Sequence, residues 1–489
     1  MKKQLIFVMA LWALTLVQTV SATVYYASPT GKDANGLTRE TPGNLSAMLQ
    51  KLKAGDELIL LDGQYDFKST ITINKEGTAS AYVTIRAEQG AKPVLDFRQQ
   101  AYGSNGVSLK GKYTHLIGIT IRYAGKKGIW NQGSYNILEC LDAYGNSDSG
   151  IQHRDGGHNL IVNCDSHDNF DYKTMSGTSP DYGGNADGFA DKQGDANPGN
   201  IYIGCRAWNN SDDGWDSYQR VTDGTPTVYI NCITYNNGPA TFDMTNHPRY
   251  ATDKEWFDTC GETLSAYRNH GNPNGFKLGG SSTKHNTELY RCLAVGHRGK
   301  GFDQNSNAGN MLIVNCTSYD NDRNFGFYNN NGYHLTIYNS ISVAPRSGDQ
   351  LQSNVTTQSH NSWNAGFSVK TTDFESLDVE HLILADRQTD GSLPETLLLR
   401  LKPTATNLID KGLVFNGFEG EEIGNHVSYE GLAPDLGCYE YHADQTQIIR
   451  VDGNVDSASS NAPCYDLNGR RVDMSYRGIV IQQGMKFTR

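Results

Sequence analysis

The sequence predicts an all-β protein built as a parallel β-helix, and two repeated features support this. A glycine followed by a large apolar residue recurs along the middle of the chain at intervals of 22 to 26 residues, with two longer gaps. Between these glycines lie short apolar runs that end in a small residue, usually cysteine. The runs are rich in Ile, Val, Leu and Tyr and are bounded by Gly, Asn and Asp, which is typical of strands. Such units bury their apolar faces by stacking on one another, as in a solenoid.

The two repeated positions alternate along the chain. The glycine pairs are Gly128-Ile129, Gly150-Ile151, Gly188-Phe189, Gly214-Trp215, Gly275-Phe276, Gly301-Phe302 and Gly326-Phe327. The apolar runs end at Cys140, Cys164, Cys205, Cys232, Cys292, Cys316 and Ser340. We expect the regular coils to occupy residues 113–343, with equivalent residues of successive coils about 4.8 Å apart.

The chain begins with a predicted secretory signal peptide. A start with two lysines, an apolar run from Leu5 to Val17 and a final small residue, Ala22, are typical of a cleaved signal. We therefore predict export to the periplasm, cell surface or exterior, with no transmembrane segment. The predicted divisions are the signal over 1–22, the β-helix over 23–442 and a small β tail, of sorting or accessory type, over 443–489.

A single amphipathic helix is predicted before the regular coils. Leu45, Met48, Leu49 and Leu52 follow helical spacing, and Asn44 is suited to cap the first turn. An apolar helix at this point is expected to cover the first coil of the solenoid.

Composition excludes some partners. The formal net charge is −11, and loss of the signal removes two lysines, so the mature chain is more acidic still. This argues against nucleic acid and membrane surfaces as partners, and we expect a monomer. Six of the nine cysteines lie at or near the strand-ending position, so we interpret most of them as small buried thiols.

The repeat also predicts which polar residues meet. Asp187 and Asp213 each precede the glycine of their coil, so they should stack. Two residues after the glycine stand Asp216 and, one coil later, Lys277. This position should face solvent because the aromatic residue before it faces the core.

Four carboxylates, Asp187, Asp212, Asp213 and Asp216, should thus share one small surface. They would repel one another unless a cation intervened, and this number of hard oxygen ligands suits calcium. Acid-rich turns are otherwise ordinary solvated loops, and the stacking favours the metal site. A lysine beside such a cation is disfavoured in its charged form, which makes Lys277 a candidate general base.

The order of motifs NADGFA, NNSDDGWD, NGFKLGG and KGFDQN resembles polysaccharide lyase family nine, the calcium-dependent pectate and rhamnogalacturonan lyases. The resemblance covers residues 150–340 and implies a right-handed parallel β-helix. It implies calcium ligands at Asp187, Asp212, Asp213 and Asp216, and Lys277 as the Brønsted base. The last segment is similar to the sorting tails of exported Bacteroidetes proteins.

The implied reaction is β-elimination on a galacturonate of an acidic plant cell-wall polysaccharide, giving a 4,5-unsaturated product. The family admits both homogalacturonan and rhamnogalacturonan I as substrates. The long segment between Asp216 and Lys277 departs from the family and bears on this choice. The candidate substrate contacts are Lys192, Tyr218, Arg268, Arg298, Asp303 and Asn305.

Two alternatives stay open from the sequence. An inverting polygalacturonase also uses a β-helix with aspartate motifs, but its GHG turn and RIK triplet are not in this chain. A non-catalytic, calcium-stabilised binding solenoid would bind pectin without altering it.

Overall fold

The protein is described by a computed structural model over residues 22–249, 252–328, 334–351, 356–414, 429–443, 463–472, 476, 479–482 and 485–488. The predicted signal peptide, apart from Ala22, and much of the predicted tail lie outside these ranges. Within them, no helix combines the length and the apolar content needed to cross a bilayer.

Three long parallel sheets form the body of the molecule, and each coil contributes one strand to each of the sheets that it reaches. We call them sheets A, B and C. The 12 strands of sheet A are Val24–Ala27, Glu57–Leu60, Val83–Ala87, Thr114–Ile117, Ile137–Glu139, Leu160–Val162, Ile201–Ile203, Thr227–Ile230, Thr287–Tyr290, Met311–Val314, Leu335–Tyr338 and Thr356–Ser359.

Sheets B and C have 10 strands each. Those of sheet B are Gln64–Asp66, Val94–Asp96, Thr120–Arg122, Asp142–Tyr144, Asp165–His167, Arg206–Trp208, Ile233–Tyr235, Leu293–Val295, Thr317–Tyr319 and Ile341–Val343. Those of sheet C are Ile71–Ile73, Val107–Leu109, Ile129–Asn131, Ile151–His153, Phe189–Asp191, Trp215–Asp216, Phe276–Lys277, Lys300–Asp303, Arg323–Phe327 and Gln350–Leu351. The predicted parallel β-helix is confirmed, and its regular coils begin well before residue 113, where the repeat predicted their start.

The remaining elements are short. Two hairpins pair Met175–Ser176 with Ser179–Pro180 and Thr241–Phe242 with Tyr267–Arg268, and a four-stranded sheet contains Cys464–Tyr465, Arg471–Val472, Ile479–Gln482 and Met485–Thr488. The helices are α1 (Leu45–Lys51), α2 (Lys254–Thr259) and α3 (Val379–Leu382), with 3₁₀ turns at Leu264–Ala266 and Thr371–Asp373.

Helix α1 covers the first coils as predicted. The Asn44 side chain accepts a hydrogen bond from the backbone N–H of Ser46 and so caps the helix. Leu45, Met48 and Leu49 are buried in the main core. The apolar interior of the first coils is thereby closed to water.

Aromatic side chains form a ladder inside the middle coils, under sheet C. Phe189, Trp215, Phe276, Phe302 and Phe325 stack in sequence, with ring centroids 4.7 to 5.1 Å apart. Five of the strand-ending cysteines line another part of the interior, namely Cys164, Cys205, Cys232, Cys292 and Cys316. Cys140 is only partly buried, and none of the nine cysteines, which all lie in the described ranges, forms a disulfide. Stacking of like residues on like residues therefore fixes the register of the coils.

The last predicted glycine pair is wrong. Asp303 pairs with Gly326, and Phe302 pairs with Phe325, so Phe325 rather than Phe327 continues the ladder. The spacing from Gly301 to Gly326 fits the repeat, but the aromatic stack sets the register. Gly326 consequently lies beside Asp303.

A buried asparagine ladder holds the turns that lead into sheet C. The Oδ1 of Asn169 accepts from the backbone N–H and Nδ2 of Asn146, at 3.0 and 2.9 Å. Asn169 Nδ2 in turn donates to Asn210 Oδ1 at 2.7 Å, and Asn210 repeats the pattern with Asn237. Each amide satisfies backbone and side-chain groups that would otherwise be buried without partners.

The outer faces of sheets A and B are partly covered by the end of the chain. Residues of 374–408 and 436–438 pack apolar side chains such as Leu399 and Leu408 against Leu293 and Ile341 of sheet B. The four-stranded sheet packs against sheet A, where Tyr465 donates to Glu139 Oε2 at 2.6 Å. The predicted β tail therefore contains a docked β element in its described part.

The long insertion between Asp216 and Lys277 has a small core of its own. Phe257 and Tyr267 pack there against Phe170, Tyr172 and Tyr182 from an earlier insertion. The fully buried Arg249 donates to the backbone carbonyls of Gln100 and Tyr123, at 2.5 and 3.1 Å. These contacts fix the insertion against much earlier coils.

We expect Asn169→Ala to lower the free energy of unfolding by about 2 kcal/mol, because it leaves several buried polar groups unpaired. Urea unfolding followed by circular dichroism measures this. Asn310→Ala, at an exposed position, is the matched control and should change stability by less than about 0.5 kcal/mol. Equal stability of the two variants would contradict the role of the ladder.

Candidate active site

Three carboxylates meet on the outer face of sheet C. Phe189 pairs with Trp215, so Asp187 and Asp213, two positions earlier in each coil, lie one above the other. Asp216 follows Trp215 and points away from the core. One oxygen each of Asp187, Asp213 and Asp216 lies within 4.8 Å of the others. This is the stacking that the repeat predicts.

Glycine is required beside these acids because the coils pack closely there. A Cβ atom on Gly188 would lie 2.7 Å from Ala207 Cβ, and one on Gly214 would lie 2.1 Å from Thr234 Oγ1. Neither contact is tolerable without movement of the surrounding atoms. The Asp-Gly-aromatic motif thus places an acid outside, a close turn at the corner and a ring in the core.

Two lysines neutralise part of the acidic charge. Lys277 Nζ lies 2.9 Å from Asp213 Oδ2 and 3.3 Å from Asp216 Oδ1. Lys192 Nζ lies 2.8 Å from both Asp187 Oδ2 and Asp216 Oδ2. Asp216 pairs directly with Lys277 in the sheet register, so the predicted juxtaposition is present.

The position two residues after each glycine was predicted to face solvent, and this prediction is wrong for Asp216. Its side chain is buried because Lys192 and Lys277 pack against both of its oxygens. Lys277 itself keeps 16 % of its side-chain surface exposed. Lys192 keeps 13 %, so the two lysines are the exposed members of the cluster.

Burial is the largest influence on these acids and opposes their charge. With the neighbouring carboxylates, it raises the pKa of Asp187 to about 7 despite the attraction of Lys192. It also raises the pKa of Asp212 to about 7, and that of Asp213 well above its ordinary value. The pKa of Asp216 is lowered, because two lysines outweigh its burial.

Lys277 is held in its charged form by the same cluster. Burial disfavours the charged form of Lys277, but Asp213, Asp216, Asp212 and Asp187 outweigh it and hold the lysine pKa well above its usual value. The acids and lysines therefore form one coupled network, and removal of any member changes the protonation of the rest.

The chain matches the family described as "Pel9A-like, right handed beta helix region" over residues 25–340. Pectate lyase L of Dickeya dadantii (strain 3937) is 34 % identical over 434 residues, covering 85 % of this chain and 90 % of that protein. Pectate lyase L of Paenibacillus polymyxa (strain SC2) is 32 % identical, covering 81 % and 84 %. The chain belongs to the Pel9A-like β-helix family.

Solved structures agree with this membership. The crystal structure of pectate lyase Pel9A matches with a TM-score of 0.72 and 31 % identity, over 87 % of this chain and 98 % of that one. A rhamnogalacturonan lyase matches with a TM-score of 0.62 at 24 % identity, over 78 % and 97 %, and this likeness concerns the fold. The protein is a polysaccharide lyase with a right-handed parallel β-helix, as the resemblance to family nine implies. A non-catalytic solenoid and a glycoside hydrolase are thereby set aside.

Asp212 lies beside the three clustered acids of this Pel9A-like lyase but outside their group. Its Oδ1 accepts a hydrogen bond from the backbone N–H of Asn272 at 3.1 Å. It is close enough to Lys277 for their charges to interact. The fourth predicted ligand is thus adjacent, with its carboxylate engaged by the insertion.

The predicted substrate contacts fall into two sets, and the first set borders the acids. Asp303 pairs with Lys277 in the register, and Lys277 Nζ lies 5.8 Å from the centre of the Tyr218 ring. Asn305 donates to the Gly279 carbonyl at 2.8 Å. Arg298 donates to the backbone carbonyls of Asn269 and Gly271.

The second set, Lys192 and Arg268, consists of cations that lie next to acidic side chains of the protein. Lys192 is predicted as a substrate contact, yet its amine is occupied by Asp187 and Asp216. Arg268 lies at the insertion hairpin with its side chain 67 % exposed and Glu262 3.9 Å away. Lys192 directly follows the strand Phe189–Asp191, and its outward position in the repeat predicted a substrate contact rather than the ion pairs that it makes with the acids.

Sequence reasoning missed two further residues at the site. Asn274 Nδ2 donates to Asp213 Oδ1 at 2.9 Å, and the Asn274 backbone N–H donates to the same oxygen at 2.7 Å. Lys300 Nζ lies 3.2 Å from Asp303 Oδ1. Both residues precede the glycine of their coil, as Asp187 and Asp213 do, so the repeat itself carried the signal.

We expect Asp187→Asn to change how the stability of the metal-free lyase depends on pH. A carboxyl whose folded pKa is raised stabilises the fold below its unfolded pKa, and this stability is lost as pH rises. As the pH rises from about 4 to about 7, the wild type should lose stability relative to Asp187→Asn, by on the order of 3 kcal/mol in all.

Urea unfolding in chelator at several pH values measures the difference. Asp195→Asn, an exposed acid in a nearby turn, should leave the pH dependence of the wild type unchanged. A constant difference between Asp187→Asn and wild type across this range would contradict the raised pKa.

Proposed function

We propose that this lyase is calcium-dependent and cleaves galacturonate-containing pectic polysaccharide by β-elimination, with Lys277 as the base. The observation that carries the proposal is the contact of the partly exposed side chain of Lys277 with a buried cluster of aspartates. The family membership supports the reaction class, and the cluster supports the cation.

The donor set fits a hard divalent cation. Asp187, Asp213 and Asp216 offer carboxylate oxygens within 4.8 Å of one another, and calcium prefers such oxygens. Burial of the three acids makes charge neutralisation favourable. These three residues would hold the ion, with Asp212 as the adjacent candidate. When bound, calcium supplies a Lewis acid for a uronate carboxylate.

Lys277 must be neutral to act as a base. The carboxylates of Asp213 and Asp216 hold its ammonium form in the metal-free cluster. A cation held by these carboxylates would weaken that support, whereas burial would continue to disfavour the charge of Lys277. Availability of the base would thus depend on occupation of the acidic cluster.

In the reaction, the neutral Lys277 Nζ takes the C5 proton of a galacturonate, and the C5–H electron pair enters the conjugated carboxylate system. The C4–O4 bond then breaks, a C4=C5 double bond forms, and the leaving O4 receives a proton from solvent. Desolvation of the site strengthens its interaction with developing negative charge. The products are a new chain end and a 4,5-unsaturated sugar.

The substrate is proposed from the relatives. Those at 34 % and 32 % identity are called pectate lyases, so we propose unesterified homogalacturonan as the first substrate. Rhamnogalacturonan I is the second candidate, since a rhamnogalacturonan lyase shares the fold. We also propose that the enzyme is exported, in keeping with the signal-like first 22 residues, and that it acts as a monomer.

We expect wild-type protein to raise ultraviolet absorbance from the unsaturated product on polygalacturonate in calcium, and not in chelator. Parallel assays on rhamnogalacturonan I identify the preferred polymer. New reducing ends without absorbance would point to hydrolysis and contradict the proposal.

We expect Lys277→Ala to lower kcat by roughly 10²- to 10⁴-fold, the usual contribution of a general base. Lys284→Ala removes an exposed lysine from a nearby turn and is the matched control. Calcium affinity of the Lys277→Ala protein, measured by calorimetry, should persist. Activity of Lys277→Ala equal to that of the control would exclude Lys277 as the base.

A further inference from the structure

The column of residues that precede the sheet C glycines changes charge along the solenoid. In coil order its members are Lys127, Ser149, Asp187, Asp213, Asn274 and Lys300. Lys300 lies two coils beyond Asp213, which corresponds to roughly 10 Å along the sheet. A cation thus follows the acidic cluster on the same outer face.

Lys300 is held in place while remaining accessible. Its Nζ lies 3.2 Å from Asp303 Oδ1, and its side chain is 23 % exposed, whereas that of Asp303 is 2 % exposed. An ammonium has three N–H donors, so the pairing with Asp303 leaves donors for a ligand. Asp303 is also the register neighbour of Lys277, so the two lysines occupy adjacent coils.

The altered register of the next coil makes room for Lys300. A Cβ atom on Gly326 would lie 2.1 Å from Lys300 Cδ, so the lysine stem lies directly across this glycine. The same register leaves Tyr328 37 % exposed, with its ring centre 5.0 Å from Lys300 Nζ. A side chain at residue 326 would displace the lysine.

A similar arrangement occurs one coil earlier. Lys277 Nζ lies 5.8 Å from the ring centre of Tyr218, which is also 37 % exposed. Each lysine therefore pairs with an accessible tyrosine. A ring offers apolar surface to the C–H face of a sugar, and an ammonium offers a charge-assisted hydrogen bond to a carboxylate.

We propose that Lys300 and Tyr328 form a second uronate subsite, which binds the carboxylate and the ring face of a sugar neighbouring the one that reacts at Lys277. This proposal rests on the proposed function for its substrate class. It assigns Lys300 to substrate binding rather than to proton transfer, and it makes the enzyme favour consecutive unesterified uronates.

The first test is a KM-against-kcat split. Lys300→Gln should raise KM for polygalacturonate about tenfold, the effect of losing one charge-assisted contact, with kcat changed by less than about twofold. Lys112→Gln, an exposed lysine several coils away, should leave both constants unchanged. A loss confined to kcat, or an unchanged KM, would overturn the subsite.

A binding test separates the subsite from catalysis. Affinity of a short oligogalacturonate is measured by calorimetry for Lys277→Ala and for Lys277→Ala combined with Lys300→Gln. The double variant should bind about tenfold more weakly, and this difference should vanish for the methyl-esterified oligomer. Equal weakening for the esterified oligomer would overturn the assignment to a carboxylate.

Substitution of Tyr328 tests the ring. Tyr328→Ala should weaken oligogalacturonate binding and Tyr328→Phe should not, with thermal unfolding confirming that each variant folds. If the wild-type protein shows no lyase activity but its oligogalacturonate binding depends on Lys300, the proposed reaction is contradicted and the subsite is supported. If substitution of Lys300 and of Tyr328 leaves the lyase kinetics unchanged, the subsite is contradicted and the proposed reaction is supported.

Discussion

The fixed distance between stacked coils is the constraint on which the rest of the structure depends. A parallel sheet repeats its residues at one strand spacing, so a side chain chosen in one coil meets its counterpart in the next. Inside, this stacks rings on rings from Phe189 to Phe325. Outside, it stacks Asp187 on Asp213, which no isolated surface would tolerate without compensating charge.

That compensation comes from two lysines in different coils. Lys277 reaches Asp213 and Asp216 from the next coil, whereas Lys192, directly after the strand Phe189–Asp191, bridges Asp187 and Asp216. The acids are buried, and the lysines keep only a small part of their surface in solvent. The charges of this site therefore lie in a low-dielectric environment, where binding of an ion or a ligand has a large effect on the protonation of the acids and lysines.

Repetition explains how much the sequence could predict. The parallel β-helix, the stacked acids and the adjacency of Asp216 and Lys277 all follow from position within a repeat. The errors arose where a tertiary contact overrides it. Packing of Phe325 moved Gly326 out of its expected place, and lysine contacts buried Asp216. The link from Arg249 to Gln100 spans 149 positions, and no local pattern indicates such a contact.

A solenoid in which each coil contacts only its neighbours can fray from either end. Arg249 works against this, because it ties a late insertion to the carbonyls of Gln100 and Tyr123. Arg387, beyond the last coil, likewise bonds Asp165 at 2.6 Å. Such cross-braces convert a row of nearly independent units into one cooperative block. Loss of structure in the coils of Gln100 and Tyr123 must then break contacts of the insertion that lies between Asp216 and Lys277, so the early coils help to hold a segment that borders the active site in sequence.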